Sequence, residues 1–176
     1  MSFTSDQKRL DQNFKELYFE YYAVAQRTAM YVLMQIDTSE DVAQSVFLKL
    51  WDKRDQLDQL NNPKAYIIQM ARSGALDVVK KGGHLSKNQL QLGFYSEISD
   101  EPENVDRRQA IEKAMADLSP KCRLVFSLSQ FEGQSNPEIA ENLDVSIRAV
   151  ETQISNVLKS FFNTFQIDSK ITKVKT

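Results

Sequence analysis

Arg148, Glu151, Thr152, Gln153 and Asn156 fall within one nine-residue stretch near the C-terminus. Arg, Gln, Asn and Thr can each hydrogen-bond to base edges in a DNA major groove, and Glu can accept from cytosine. On a helix, Val150, Ile154 and Leu158 would form a buried i, i+4, i+8 stripe, leaving those polar residues, with Ala149 and Ser155, facing outward. Other chemistry is scarce. The lone histidine, His84, is flanked by Gly83 in a linker, which argues against a His-based acid/base site. The lone cysteine, Cys122, excludes an internal disulfide and offers no metal-ligand spacing. Glu40 and Asp41 fit the charge expected at a helix N-terminus better than a pair of catalytic carboxylates. No enzymatic activity, cofactor or metal is expected.

The elements that must position the polar stretch have the build of a helix-turn-helix. Ile139, Ala140 and Leu143 give a short first helix (137–142) a small apolar face, with Ala140 allowing a close crossing. Val145 plugs the turn and Ser146 caps the second helix, expected over 147–162 with a loose tail ITKVKT. The N-terminal part of such a second helix is the part that enters the major groove. A plain capped helical hairpin would read similarly.

Upstream, residues 6–34 recur apolar at steps of three and four (Leu10, Phe14, Leu17, Tyr18, Tyr21, Tyr22, Ala25), predicting an amphipathic helix with an aromatic face. Ile36-Asp37-Thr38 breaks the pattern. Thr38 is the expected N-cap of a second helix reaching about Arg54, with Asp41 placed to reach back. There Val42, Val46 and Leu50, beside Ala43, Phe47 and Trp51, face inward, and Asp41, Gln44 and Leu48 face outward. That mixed outer face suits docking of another protein, or is a solvated face with one stray leucine. Residues 55–62 read as a polar loop. Asn62-Pro63 then starts a helix that ends in Lys80-Lys81-Gly82-Gly83. It places Tyr66, Gln69, Arg72, Ser73 and Lys80 outside apolar positions Ile67, Met70, Ala71, Leu76 and Val79. Cations interleaved with an aromatic suit single-stranded nucleic acid, though Tyr66 also fits a core position. Ser119-Pro120 starts another helix, and Gly133 stops it.

The expected architecture is all-α: an N-terminal helical bundle over 1–82, a flexible acidic linker over 83–106 with a turn near 90–94, and a helix-turn-helix domain over 107–176. Apolar residues at 41% and charged residues at 26% are ordinary for a globular protein. The net charge of −2 arises in 83–108, with three basic and five acidic residues, while both flanking parts are balanced. DNA binding must then rest on local patches or on a larger partner. No apolar run approaches the roughly 18–20 residues of a membrane span, and MSFTSDQKRLDQ lacks the apolar core of a secretory signal. A cytoplasmic location is expected.

At these residues the chain resembles the extracytoplasmic-function (ECF) group of the sigma-70 family. SEDVAQSVFLKLW looks like the family's second conserved region, an acidic pair followed by Gln and a Phe-Leu-x-x-Trp run. AYIIQMARSGALDVVKK is similar to the segment that recognises and melts the minus-ten promoter element. LSPKCRLVFSLSQFEGQSNPEIAENLDVSIRAVETQI resembles the fourth region, which reads the minus-thirty-five element. The resemblance implies a transcription initiation factor that binds core RNA polymerase through Asp41, Gln44, Leu48 and Trp51. It implies minus-ten contacts from Tyr66, Gln69, Arg72, Ser73 and Lys80. Minus-thirty-five contacts would come from Arg148, Ala149, Glu151, Thr152, Gln153 and Asn156. Family members are commonly held by an anti-sigma factor, often membrane-anchored, although this chain itself would not insert in a membrane. The chain departs from the pattern at Ser73 (usually Asn), Asp144 (usually Gly), Ala149 (commonly Thr), and Gln153 and Asn156 (basic positions), so this half alone is expected to bind DNA weakly. A helix-turn-helix regulator acting without polymerase, and a protein-interaction module with no DNA role, are the competing readings.

Overall fold

A computed structural model describes residues 3–82 and 113–174. The expected linker over 83–106, with its turn near 90–94 and His84, lies outside the described residues. Every regular element among the described residues is helical: α1 (Phe3–Leu33), α2 (Ile36–Asp52), a 3-10 helix η1 (Arg54–Gln59) and α3 (Pro63–Lys80), then α4 (residues 113–117), α5 (Pro120–Gln130), α6 (Asn136–Leu143) and α7 (Ile147–Val174). They form two compact units, one centred on α1–α3 and the other on α4–α7.

The first unit is a three-helix bundle in which α1 packs along both α2 and α3. Its core gathers Ala25 from α1, Ala43, Val46, Phe47 and Leu50 from α2, Leu57 from η1, and Ile67 and Ala71 from α3. Phe14, Tyr18 and Tyr22 project from successive turns of α1 onto Phe47, with ring centroids 6.2, 5.2 and 5.6 Å away. The aromatic face expected of α1 is therefore the seam it shares with α2. Gly74 lets α3 approach α2 closely, since a Cβ there would sit 3.2 Å from Val42 Cγ1.

Three local expectations are corrected here. Helix α2 begins two residues before Thr38. The chain turns at Met34, which takes the left-handed φ of 56°, and extended Gln35 occupies the N-cap position. Thr38 sits inside the first turn, its Oγ1 donating to Gln35 Oε1 at 2.7 Å, and Asp41 plays no capping role. The expected loop is largely η1, which buries Leu57 and pairs Arg9 with Asp58 at 3.7 Å. On α3 the buried line runs through Ala65, Ile67, Ile68, Ala71 and Ala75, while Met70, Leu76 and Val79, expected on the apolar side, are half-buried. The α3 start is as expected: Asn62 Oδ1 accepts from Ala65 N–H at 3.0 Å, with Pro63 at the first helical position. Gly82, at φ 88°, ends that helix by entering the conformation glycine adopts without a steric penalty.

In the second unit, α5 packs against α7. Ser119 Oγ accepts from Cys122 N–H at 3.3 Å, capping α5 as the sequence indicates. Val150 and Val157 are fully buried, Ile154 is half-buried, and Phe161 meets Phe126 of α5 at 5.1 Å. The seam of α7 therefore passes through Val157. Leu158, expected in it, is 58% exposed. Helix α7 also continues to Val174 rather than ending near 162 in a loose tail. Arg123 is buried at the junction of α4 and α5, its Nη1 donating to the carbonyls of Met115 (3.2 Å) and Leu118 (3.5 Å). Both carbonyls lie at the end of α4, where a helix leaves its last acceptors short of donors, and Met115 O also accepts from Leu118 N–H at 3.2 Å. Desolvation pushes the guanidinium pKa down to about 10.

Candidate functional site

The outer face of α2 carries Asp41, Gln44 and Leu48, all exposed and one turn apart. Leu48 is 67% exposed, a large apolar side chain left to solvent beside a carboxylate and an amide. Gln44 lies at the α1 seam, where its side chain hydrogen-bonds Tyr22. Burial and then the neighbouring Tyr18 raise the Tyr22 pKa, with the Gln44 bond opposing them.

Trp51 was expected to share the inward line of α2, but it sits at the rim, 38% exposed. Its indole meets Phe14 edge-on at 4.9 Å, and the Arg54 guanidinium lies 4.5 Å from the ring centroid. Arg54 Nη1 also donates to the Trp51 carbonyl at 3.0 Å, while Nε lies 3.5 Å from Asp11 Oδ1. Neither Arg54 nor Asp11 stood out in the sequence. The i, i+3 step from Trp51 to Arg54 was the one available signal, and the partner on α1 lies far away along the chain.

Along α3, Ser73 and Lys80 are exposed, and Gln69 and Arg72 are half-buried. Tyr66 is half-buried and packs against the bundle core, so only part of its ring surface faces outward. Lys80 Nζ lies 3.4 Å from Asp77. Tyr66, Gln69, Ser73 and Lys80 recur at helical spacing and share one side of α3, with Arg72 beside them.

The third candidate surface is built by α6, its turn and α7. Ser135 and Glu138 form a capping box: Glu138 Oε2 accepts from Ser135 N–H and Oγ–H, both at 2.7 Å. Ile139, Ala140 and Leu143 bury the inner face of α6 as expected. The turn passes through Asp144 at φ 52°, the left-handed conformation that Asp tolerates better than most residues. Val145 N–H donates to Ala140 O at 3.0 Å, and Ser146 Oγ then accepts from Ala149 N–H at 3.1 Å to start α7. Arg148, Glu151, Thr152 and Asn156 are exposed on the first turns of α7, and Ala149 is half-buried. The Thr152 hydroxyl donates to Arg148 O at 2.8 Å, leaving its oxygen able to accept. Gln153 departs from the exposed set. It is half-buried, and its Oε1 accepts from the Cys122 thiol at 2.6 Å, which ties α7 to α5.

Comparison with known proteins places both halves. Residues 17–84 match the family model for sigma-70 region 2, and residues 108–161 match that for sigma-70 region 4. The ECF RNA polymerase sigma factor SigK of Mycobacterium sp. (strain JLS) is 22% identical over 139 residues, covering 75% of this chain and 72% of that protein. The ferric citrate uptake sigma factor FecI of Escherichia coli (strain K12) is 22% identical over 152 residues, covering 83% and 87%. SigL of Mycobacterium tuberculosis (strain H37Rv) is 25% identical over 156 residues, covering 86% and 88%. Among solved structures, the sigma factor RpoE of Bartonella quintana, crystallised with the anti-sigma factor NepR, shares the fold. Its TM-score is 0.62 at 20% identity, covering 89% of this chain and 99% of that one.

Proposed function

Because the chain belongs to the sigma-70 family, in its ECF subfamily, we infer that it is an RNA polymerase sigma factor: it binds core RNA polymerase, directs it to promoters and helps open the duplex. One observation carries this reading: a region 2 bundle and a region 4 helix-turn-helix occur in that order in one chain. A regulator acting through a helix-turn-helix alone would have no need of the first.

The division of labour among residues is our proposal. The α2 face of Asp41, Gln44 and Leu48, with Trp51 at its rim, docks on core polymerase. Leu48, 67% exposed, offers apolar area that docking would bury. The α3 side of Tyr66, Gln69, Arg72, Ser73 and Lys80 takes the melted minus-ten strand. Unstacking a base costs a few kcal/mol, which stacking on Tyr66 and phosphate contacts from Arg72 and Lys80 would offset. On α7, Arg148, Glu151, Thr152 and Asn156 read the minus-thirty-five element, with Ala149 in apolar contact. Gln153 contributes through whatever hydrogen-bonding capacity the Cys122 bond leaves it. The domain division we propose is 1–82 and 107–176, two binding halves joined by a linker over 83–106. The protein acts in the cytoplasm without catalytic chemistry of its own. Among the described residues no helix is long and apolar enough to cross a membrane. An anti-sigma factor, of the kind bound to the Bartonella quintana relative, is the expected regulator.

Transcription with purified core polymerase on a library of promoter fragments tests the reading. Initiation confined to a subset of fragments is the expected result. Tight binding to duplex DNA without polymerase, and no selective initiation with it, would favour the free-standing regulator.

A further inference from the structure

Trp51 is the only tryptophan in the chain, and it stands at the rim of the proposed docking face with its ring held by two other elements. Phe14 of α1 contacts it edge-on at 4.9 Å, and Arg54 of η1 spreads its guanidinium 4.5 Å from the centroid. Arg54 is fixed in turn by its bond to the Trp51 carbonyl (3.0 Å) and by the Asp11 carboxylate of α1 (3.5 Å). One planar group thus stacks on an indole, caps the last turn of α2 and pairs with an acid on another helix. A lysine ammonium, compact and without a plane, could meet the charge requirement but not the stacking.

We propose that Arg54 is a positioning residue for polymerase docking: anchored by Asp11, it holds the Trp51 indole in its binding orientation. The inference rests on α2 being the docking face. The bundle core, with Phe47, Leu50 and Leu57 buried, is built from apolar residues of which Arg54 is not one. What Arg54 supplies is order in a ring that remains 38% open to solvent. A side chain ordered before binding avoids an immobilisation cost equivalent to about three- to tenfold in affinity.

The test compares full-length Arg54→Lys, Arg54→Ala, Asp11→Asn and Leu48→Ala with the wild type. In the free chain, acrylamide quenching and emission of the single tryptophan report the order of Trp51, and thermal unfolding reports the fold. Affinity for purified core polymerase is measured by competition against a labelled wild-type chain. Arg54→Lys should unfold at nearly the wild-type temperature, raise quenching of Trp51 and weaken polymerase binding about three- to tenfold. Arg54→Ala should do at least as much, and Asp11→Asn should move both signals the same way to a smaller extent. For the Arg54 and Asp11 variants, transcription at saturating chain should be unchanged. If Arg54→Lys raises quenching while affinity stays at the wild-type value, the inference is overturned. A loss of affinity matched by a fall in unfolding temperature overturns it too, by making Arg54 merely structural. Leu48→Ala separates the two levels. If it leaves affinity unchanged, the docking face itself is misassigned and the inference falls with it; if it weakens binding while Arg54→Lys does not, the inference alone fails.

Discussion

Leu48 and Leu50 stand two residues apart on α2, one 67% exposed and the other 2%. Truncating each to alanine should therefore damage different things. Leu50 lies in the bundle core with Val46 and Ile67, and removing such a side chain costs about 2–5 kcal/mol because the site cannot close over the cavity. For a domain of this size each kcal/mol lowers the melting temperature by roughly 4–8 °C, so Leu50→Ala should lose about 10 °C or more. Leu48→Ala should leave the melting temperature nearly unchanged, as surface substitutions stay within about 0.5 kcal/mol. Its cost appears on binding. Full burial of a leucine side chain is worth about 1.5–3 kcal/mol, and two thirds of Leu48 is still open, so docking recovers roughly 1–2 kcal/mol. That corresponds to a five- to thirtyfold weaker Kd for core polymerase, roughly. Titrating labelled chain with core polymerase, beside thermal unfolding by circular dichroism, measures both quantities. An intact Leu48→Ala fold with wild-type Kd would refute the docking assignment. A melting temperature lowered as far as in Leu50→Ala would refute the burial reasoning itself.

Arg123→Ala should destabilise the second unit by about 1–3 kcal/mol, since it takes the guanidinium donor from the Leu118 carbonyl, leaves Met115 O only its bond from Leu118 N–H, and opens a cavity. Arg123→Met, which fills the space and removes the desolvated charge, should recover part of that loss, and denaturant unfolding of the two variants distinguishes them. Arg148→Ala should weaken use of the upstream promoter element while sparing polymerase association; equal loss of both in transcription and binding assays would indicate misfolding. Asp144→Gly should hold or raise the melting temperature, because glycine takes the left-handed turn without strain, whereas Asp144→Ala should lower it by about 1 kcal/mol in equivalent stability.

Features set by neighbours in sequence were the legible ones. Asn62, Ser119 and Ser146 cap their helices because a short polar side chain before a helix can reach an amide three residues on. The start of α2 was not legible, since it depends on Met34 adopting a left-handed backbone within packed surroundings, against the preference of its residue type. The 3-10 turn was hidden for a related reason: one buried leucine, Leu57, sets no period. On α7 the choice between Val157 and Leu158 for the seam is a rotation of one residue, decided by where α5 lies rather than by composition. In the candidate surfaces, exposure of Asp41, Gln44, Leu48, Arg148, Glu151, Thr152 and Asn156 was legible from helical period alone. Trp51 and Gln153 were not, because Arg54, Phe14 and Cys122 reach them from other elements.

The exposed stripe on α7 has a consequence for ionic strength. Arg148 is the only cation between Ile147 and Val157, with Glu151 beside it. A helix that neutralises one phosphate displaces about one counterion, so the logarithm of its affinity changes with the logarithm of salt concentration by a slope near −1. If α7 reads the upstream element as proposed, most of the salt sensitivity of the assembled promoter complex comes from other charged groups, Arg72 and Lys80 of α3 and those of polymerase among them. The first turns of α7 would then contribute sequence discrimination that changes little between dilute and concentrated salt.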